Sequence, residues 1–288
     1  RGAGVRSDGP IGIDLGGTYT RIAAFTHRSA PERTELARFA TDPDYDRQLA
    51  AIIGEIRSAC EAPSAVGVCV GGRLDRAGAT VSVALNLRGY QGRALRHDLA
   101  SALSCPVRLA HDATCGLLAE HAYGSLRGID RCGYVTTSTG TGCAVRLGHG
   151  EHFVVMTTEA GHQLVAGNEL DCPCGQRGCL ETLTGGRALE QRIGTALADI
   201  DDPGFWRAYA ESLAHGLANF ALVSGVEAVA LGGAIILRRP EIWAWLRESL
   251  ATRLTYRELA VLPARLGEDA PLVGAARLLD TPGASILH

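Results

Sequence analysis

The sequence predicts an α/β protein of two lobes around a cleft. Two observations carry this. Strand-like apolar runs alternate with segments of helical spacing along nearly the whole chain. Two of the strand pairs are joined by glycine-rich hairpins, within residues 11–26 and 132–147. With 288 residues the chain can bury a substantial core. A formal net charge of −3 without blocks of Lys or Arg argues against nucleic acid as the partner. No apolar run reaches the length of a bilayer span, and the opening RGAGVRSDGP has no hydrophobic signal segment, so a cytoplasmic location is expected.

The first hairpin, IGIDLGGTYTRIAAFT, is two apolar strands around Gly16-Gly17. Glycines there let backbone N–H groups approach an anion that a side chain would keep away, which makes the turn a candidate phosphate cradle; an ordinary tight turn reads the same way. Asp14, near the end of the first strand, is placed to hold a metal-bound water beside such phosphates. Leu49, Ile52, Ile53 and Ile56 predict a helix over 45–60, followed by a strand in AVGVCVGG that ends on Gly71-Gly72. A helix over 92–104 and a short strand PVRLA lead to His111-Asp112-Ala113-Thr114, which opens a helix to about Tyr123. Taken alone, Asp112 reads as a helix cap. The second hairpin, CGYVTTSTGTGCAVRL, offers hydroxyls and backbone N–H groups at Ser138, Thr139, Gly140, Thr141 and Gly142. Helices are expected over 187–198 and 204–224, then the strand VEAVAL ending on Gly232-Gly233-Ala234, then helices over 240–255 and 272–280.

Between the second hairpin and these helices lies EAGHQLVAGNELDCPCGQRGCLE, residues 159–181. His162, Cys172, Cys174 and Cys179 supply one imidazole and three thiolates, a closed tetrahedral set for a structural zinc ion. Gly175 and Gly178 allow the sharp turns that return Cys179 to the same ion. A disulfide is the competing reading, and a Cys-X-Cys pair with a third Cys and a nearby His fits it less well. The remaining cysteines, Cys60, Cys69, Cys105, Cys115, Cys132 and Cys143, lie in apolar segments as free core thiols do. Glu159 and Glu181 bracket the ligands and could accept hydrogen bonds from a polyhydroxylated compound, although isolated acidic residues are more often solvated.

Glu-X-Gly-His at 159–162 followed by Cys-X-Cys-Gly-X-X-Gly-Cys-X-Glu at 172–181 resembles the signature of the ROK family of sugar kinases and sugar-responsive repressors. The resemblance extends from about Ile11 to Leu279. It implies the two-lobed actin-like ATPase (ribonuclease H-like) fold, with nucleotide and sugar in the interlobe cleft. The implied lobes are 1–111 with 274–288, and 112–273 carrying the zinc loop. Asp14-X-Gly16-Gly17-Thr18 matches the first phosphate motif; Thr139, Gly140, Thr141 and Gly142 form the second, and Gly232-Gly233 resembles the adenosine-side turn. Gly72, Asn86, His111, Asp112, Glu159, His162 and Glu181 fall at positions of the sugar site, with Asn86 equally readable as a turn cap. Asp112 aligns with the catalytic base of an Asn-Asp-Ala-Asn segment. Tyr19, Gly71, His111 and Thr114 depart from the family pattern, and His111, where an Asn normally contacts the sugar, changes the hydrogen bonds on offer.

What the resemblance implies is an ATP-dependent kinase, with Mg²⁺ and structural Zn²⁺. It would phosphorylate the primary hydroxyl of a hexose or hexose-like polyol: a glucose-type sugar, an aminohexose or a cyclitol. A homodimer is implied as well. The competing reading is a sugar-binding regulator of the same family. Such regulators carry an N-terminal helix-turn-helix, and with the first glycine turn so early in the sequence none is expected here. A zinc redox switch would need exposed thiolates of low pKa, unlike metal-bound cysteines.

Overall fold

The computed structural model describes residues 9–26, 32–84 and 87–288, and the chain falls into two compact units, residues 1–119 with 269–288 and residues 120–268. The first boundary lies inside a helix, a few residues past the expected lobe boundary at 111/112. No described helix is long and apolar enough to cross a membrane.

The first unit begins with β1 (Ile11–Leu15), β2 (Tyr19–Phe25) and β3 (Arg33–Ala40), which form an antiparallel meander. Then come α1 (Tyr45–Ala59), β4 (Val66–Val70), the short pair β5 (Arg73–Leu74) and β6 (Val81–Val83), α2 (Leu95–Leu103), β7 (Val107–His111) and α3 (Asp112–Tyr123). The sheet order is β3-β2-β1-β4-β7, with β1, β4 and β7 parallel. β4 is buried at all five positions, as an apolar run in a parallel sheet covered on both faces should be. Asp44 caps α1 by accepting the Arg47 N–H at 2.9 Å, and Ile52 and Ile56 of that helix enter the core with Ile11, Ile13 and Val68. The strand β3 was not expected from its sequence. It is a charged strand, RTELARFA, pairing through β2 at the edge of the sheet, and such strands lack the apolar alternation that betrays an inner one.

The second unit holds β8 (Cys132–Thr137), β9 (Thr141–His149), β10 (His152–Thr158), α4 (Glu181–Thr184), α5 (Gly186–Ile193), α6 (Pro203–Ser224), β11 (Ala228–Gly232), α7 (Ala234–Arg238), α8 (Ile242–Arg253) and β12 (Ala260–Pro263). Its strands run β12-β11-β8-β9-β10, parallel from β12 to β8 and antiparallel beyond. Leu213, Leu217 and Phe220 of α6 pack with Val135, Val229, Leu231 and Leu246 in its core. The expected helix over 187–198 ends instead at Ile193, where Gly194 turns left-handed at φ 75° and its N–H closes on Glu190 O. β10 escaped the sequence reading because only Val155 of its seven residues is buried.

The chain then re-enters the first unit as α9 (Ala270–Arg277), which packs on β1 and β4 with almost no side chain between. A Cβ on Gly67 would stand 1.8 Å from the Ala275 carbonyl oxygen, and one on Gly274 would stand 1.8 Å from that of Cys115. Only glycine permits this approach of backbone to backbone. Gly67→Ala should therefore cost about 2 kcal/mol or more of stability by overpacking. Gly54→Ala, in α1 with open space around the new methyl, should be neutral or stabilising. Thermal unfolding of the two variants checks this, and equal effects would contradict it.

Candidate active site

In the first unit the site residues come together because three parallel strands end in register. Leu15 lies opposite Val70, and Val70 opposite His111. The turns after β1, β4 and β7 therefore emerge side by side at the carboxyl edge of the sheet, where open α/β sheets bind ligands. They carry Gly16-Gly17-Thr18, Gly71-Gly72 and Asp112. Gly71 N–H donates to Leu15 O at 3.3 Å, tying the second turn to the first. The Gly16 turn is closed by Gly16 N–H on Tyr19 O at 3.1 Å and steadied from outside by Thr41, whose hydroxyl donates to Gly16 O at 2.7 Å. A Cβ on Gly72 would sit 2.8 Å from Val83 O, so this residue lies flat against β6. Asn86 lies outside the described residues.

Asp14 sits on the face of β1 opposite to Ile13 and Leu15 and is held by its cross-strand neighbour Arg21, whose Nη2 and Nε donate to Oδ2 at 2.7 and 3.1 Å. The Cys69 thiol donates to the other oxygen, Oδ1, at 3.5 Å. Burial raises the Asp14 carboxyl above its ordinary value, against the lowering influence of Arg21, and the Asp112 charge adds to the rise. Arg21 also donates from Nη1 to Asp269 at 3.1 Å, at the start of the returning segment. The sequence reading missed Arg21; its place two residues after Tyr19 acquires meaning only through the hairpin register.

Asp112 is the first residue of α3; its Oδ1 accepts Ala113 N–H at 2.6 Å and lies 2.8 Å from His111 Nδ1, which the same N–H reaches at 3.2 Å. Burial pushes the Asp112 carboxyl up, yet His111 and the Ala113 N–H together outweigh it and hold the group below the ordinary carboxylate value. The carboxylate is thus ionised and partly exposed, and its charge is felt by Asp14.

The second unit gathers the other residues around the β8–β9 turn. Ser138, Thr139 and Gly140 form the turn, with Gly142 opposite Thr136 in the ladder. The Ser138 and Thr139 carbonyls accept from Gly186 N–H at 2.8 Å and Arg187 N–H at 3.0 Å, so the start of α5 anchors the turn. Gly161 lies on Thr141, where a Cβ would come within 2.1 Å of its carbonyl oxygen, and Gly233, at φ 91°, lies on Thr137 in the same way at 2.2 Å. Gly232 lies against the Tyr134 hydroxyl, at 2.3 Å from where a Cβ would stand. Glu181 Oε2 accepts the Thr141 N–H at 3.0 Å, across a space that a side chain on Gly140 would fill. One N–H expected to face a phosphate therefore meets a carboxylate, and Glu181 links the cysteine loop to the glycine turn. Glu159 is exposed, and its carbonyl accepts His162 N–H at 2.8 Å.

The cysteine loop brings His162, Cys172, Cys174 and Cys179 to one point, with all four ligand atoms within 4.8 Å of one another, a group that could hold a metal ion. His162 Nδ1 is 3.6 Å from Cys172 Sγ, and Cys174 Sγ is 3.7 Å from Cys179 Sγ. Gly175 and Gly178 adopt φ of 95° and 88°, which let the loop reverse twice in seven residues. All nine cysteines are free, so no disulfide competes for them. Asn168, absent from the sequence reading, braces the loop by donating from Nδ2 to Cys179 O and to the Thr182 hydroxyl, both at 2.9 Å.

The chain is 26% identical over 234 residues to the xylose repressor of Bacillus subtilis, with 74% of the chain covered; it spans only 60% of that repressor's length. It is 27% identical to the glucokinase of Streptomyces coelicolor over 94% of the chain and 98% of that enzyme. Its structure is similar to the crystal structure of a ROK family glucokinase from Streptomyces griseus in complex with glucose and AMPPNP. The TM-score is 0.78 at 26% identity, over 93% of this chain and 98% of that one. The α/β actin-like ATPase fold expected from the sequence is that of these structures. The ROK family model matches residues 10–281, and the chain belongs to the ROK family.

Proposed function

We propose that this chain is an ATP-dependent kinase acting on the primary hydroxyl of a hexose or hexose-like polyol, drawn from glucose-type sugars, aminohexoses and carbocyclic cyclitols. The observation that carries the reading is the Asp112 carboxylate. It is ionised, its Oδ1 takes the Ala113 N–H and lies 2.8 Å from His111 Nδ1, and it stands at the carboxyl end of β7, on the edge of the sheet that also carries the Gly16-Gly17 turn. An alcohol is a weak nucleophile, and a positioned carboxylate that takes its proton during attack is what a kinase must provide. Oδ2 of Asp112 accepts the hydroxyl proton while the acceptor oxygen bonds to the γ-phosphorus. The bond from that phosphorus to the β–γ bridging oxygen breaks, its electron pair leaves on ADP, and the proton later passes from Oδ2 to water.

Backbone N–H groups of the Gly16 and Gly140 turns bind the phosphates, Gly232-Gly233 borders the adenosine, and Gly72, Glu159, His162 and Glu181 line the sugar, with His111 turned toward Asp112. Magnesium would supply charge neutralisation at the phosphates. Asp14 would hold it through a water: Arg21 occupies Oδ2 while Oδ1 has only a weak thiol donor, which suits an indirect contact. Zinc fits the cysteine loop. Bonds of about 2.3 Å to sulfur and 2.0 Å to nitrogen at tetrahedral angles give edges of about 3.8 Å between sulfurs and 3.5 Å between sulfur and nitrogen. The separations of 3.7 and 3.6 Å lie close to these edges, within a set whose four atoms all fall within 4.8 Å of one another. Zinc there is structural, fixing Glu181 relative to the Thr141 turn.

The reading is tested by incubating the protein with ATP and glucose, mannose, their N-acetylated amines and several cyclitols. At least one should yield a phosphate monoester, at about 1–100 s⁻¹. No product from any of them, with one still raising the thermal midpoint, would overturn the kinase and favour a sugar-sensing regulator. Purified protein should also carry one zinc ion per chain. Cys179→Ala should lose it and melt at lower temperature, and an unchanged metal content would contradict the zinc assignment.

A further inference from the structure

We propose that His111 is a positioning residue whose Nδ1–H clamps Oδ1 of Asp112 and so dedicates Oδ2 to the proton of the acceptor hydroxyl. The proposal rests on the kinase reading above and deepens it. It starts from backbone geometry. In a continuous strand the side chains of neighbouring residues point to opposite faces. Here β7 ends at His111 and α3 begins at Asp112, and the change from extended to helical backbone turns the two side chains toward each other. The result is the 2.8 Å contact between Nδ1 and Oδ1.

A carboxylate only accepts, so the clamp puts a proton on Nδ1. Ala113 N–H donates to Asp112 Oδ1 at 2.6 Å and also reaches the same Nδ1 at 3.2 Å; with Nδ1 protonated it serves the oxygen alone. Both donors thus converge on Oδ1, and the carboxylate cannot rotate without losing both. That leaves Oδ2 as the more basic oxygen. The electrostatic setting makes a donor useful here. Asp14 faces the group from β1 and itself feels the Asp112 charge; Cys69 of β4 and Cys115 of α3 are neighbouring buried thiols, and Arg21 of β2 is engaged by Asp14. The Asp112 charge adds to the rise of the Asp14 carboxyl. His111 supplies the local counterweight that keeps Asp112 ionised as a base. Its Nδ1 is committed to that task.

The test compares His111→Leu, which removes the donor, with His111→Asn, whose carboxamide can set an N–H near the place of Nδ1–H. His111→Leu should lower kcat about tenfold while the sugar KM stays within about twofold. The acid limb of its kcat/KM profile should move to higher pH, because Asp112 loses the partner that depresses its pKa. His111→Asn should restore most of kcat and return the limb toward its original place. The carbon-13 carboxyl resonance of Asp112, followed by NMR in the ligand-free protein, should likewise titrate at higher pH in the leucine variant. An unmoved Asp112 titration, or a raised sugar KM at unchanged kcat, would overturn the proposal. The NMR titration needs no turnover: a wild type that phosphorylates nothing defeats the kinase reading, whereas an unmoved carboxyl resonance defeats the clamp.

Discussion

In the first unit β4 lies between β1 and β7, and its ladder holds Leu15, Val70 and His111 in one line across the sheet. That register decides where three turns leave the sheet. A slip of one residue in any of the strands would turn Asp14 inward or carry the His111–Asp112 junction away from the Gly16 turn. The ladder is in turn held from behind by α9, whose backbone touches that of β4 through Gly67. The site thus depends on packing that no site residue takes part in. Strand alternation buries Ile13 and Leu15 completely and sends Asp14 to the other face, so one constraint builds the core and aims the carboxylate.

The second unit meets a different demand. Its site residues lie on a turn and an irregular loop, neither of which is rigid by itself. The turn is tied down by backbone bonds from the start of α5 and by the Glu181 carboxylate on Thr141 N–H. The loop is tied down by Asn168, and it is fastened to α6 where Gln163 Nε2 donates to Gly216 O at 3.2 Å. Glu181 follows Cys179 by two residues and begins α4. A metal ion in the loop would fix the helix start that carries it. Through Glu181 the loop that is proposed to hold the sugar reaches the turn that is proposed to hold phosphate.

Much of this was legible in the sequence, and what was legible is local. Both glycine hairpins, the junction at Asp112 and the spacing of His162, Cys172, Cys174 and Cys179 declare themselves within short windows, because turn chemistry and ligand chemistry use neighbouring residues. Contacts set by register or side-chain direction were not legible. Arg21 meets Asp14 only because the hairpin pairs them; Glu181 meets Thr141, forty residues earlier, only because the loop folds back. His111 was read as a residue facing sugar, and its bond to Asp112 follows from a strand ending where it does. The edge strand β3 and the sparsely buried β10 carry too little apolar pattern to be seen. Gly194 ended a helix that periodicity alone carried on to 198.

The central claim is that Asp112 takes the proton of the acceptor hydroxyl. The most direct measurement compares phosphoryl transfer and ligand binding for the intact protein and Asp112→Asn, with a sugar that the intact protein phosphorylates. Asn keeps the size and an acceptor oxygen but cannot take the proton. The account predicts that transfer falls by about 10²–10⁴-fold while sugar and ATP still bind. Transfer at an undiminished rate, or a loss explained wholly by weaker binding, would contradict it.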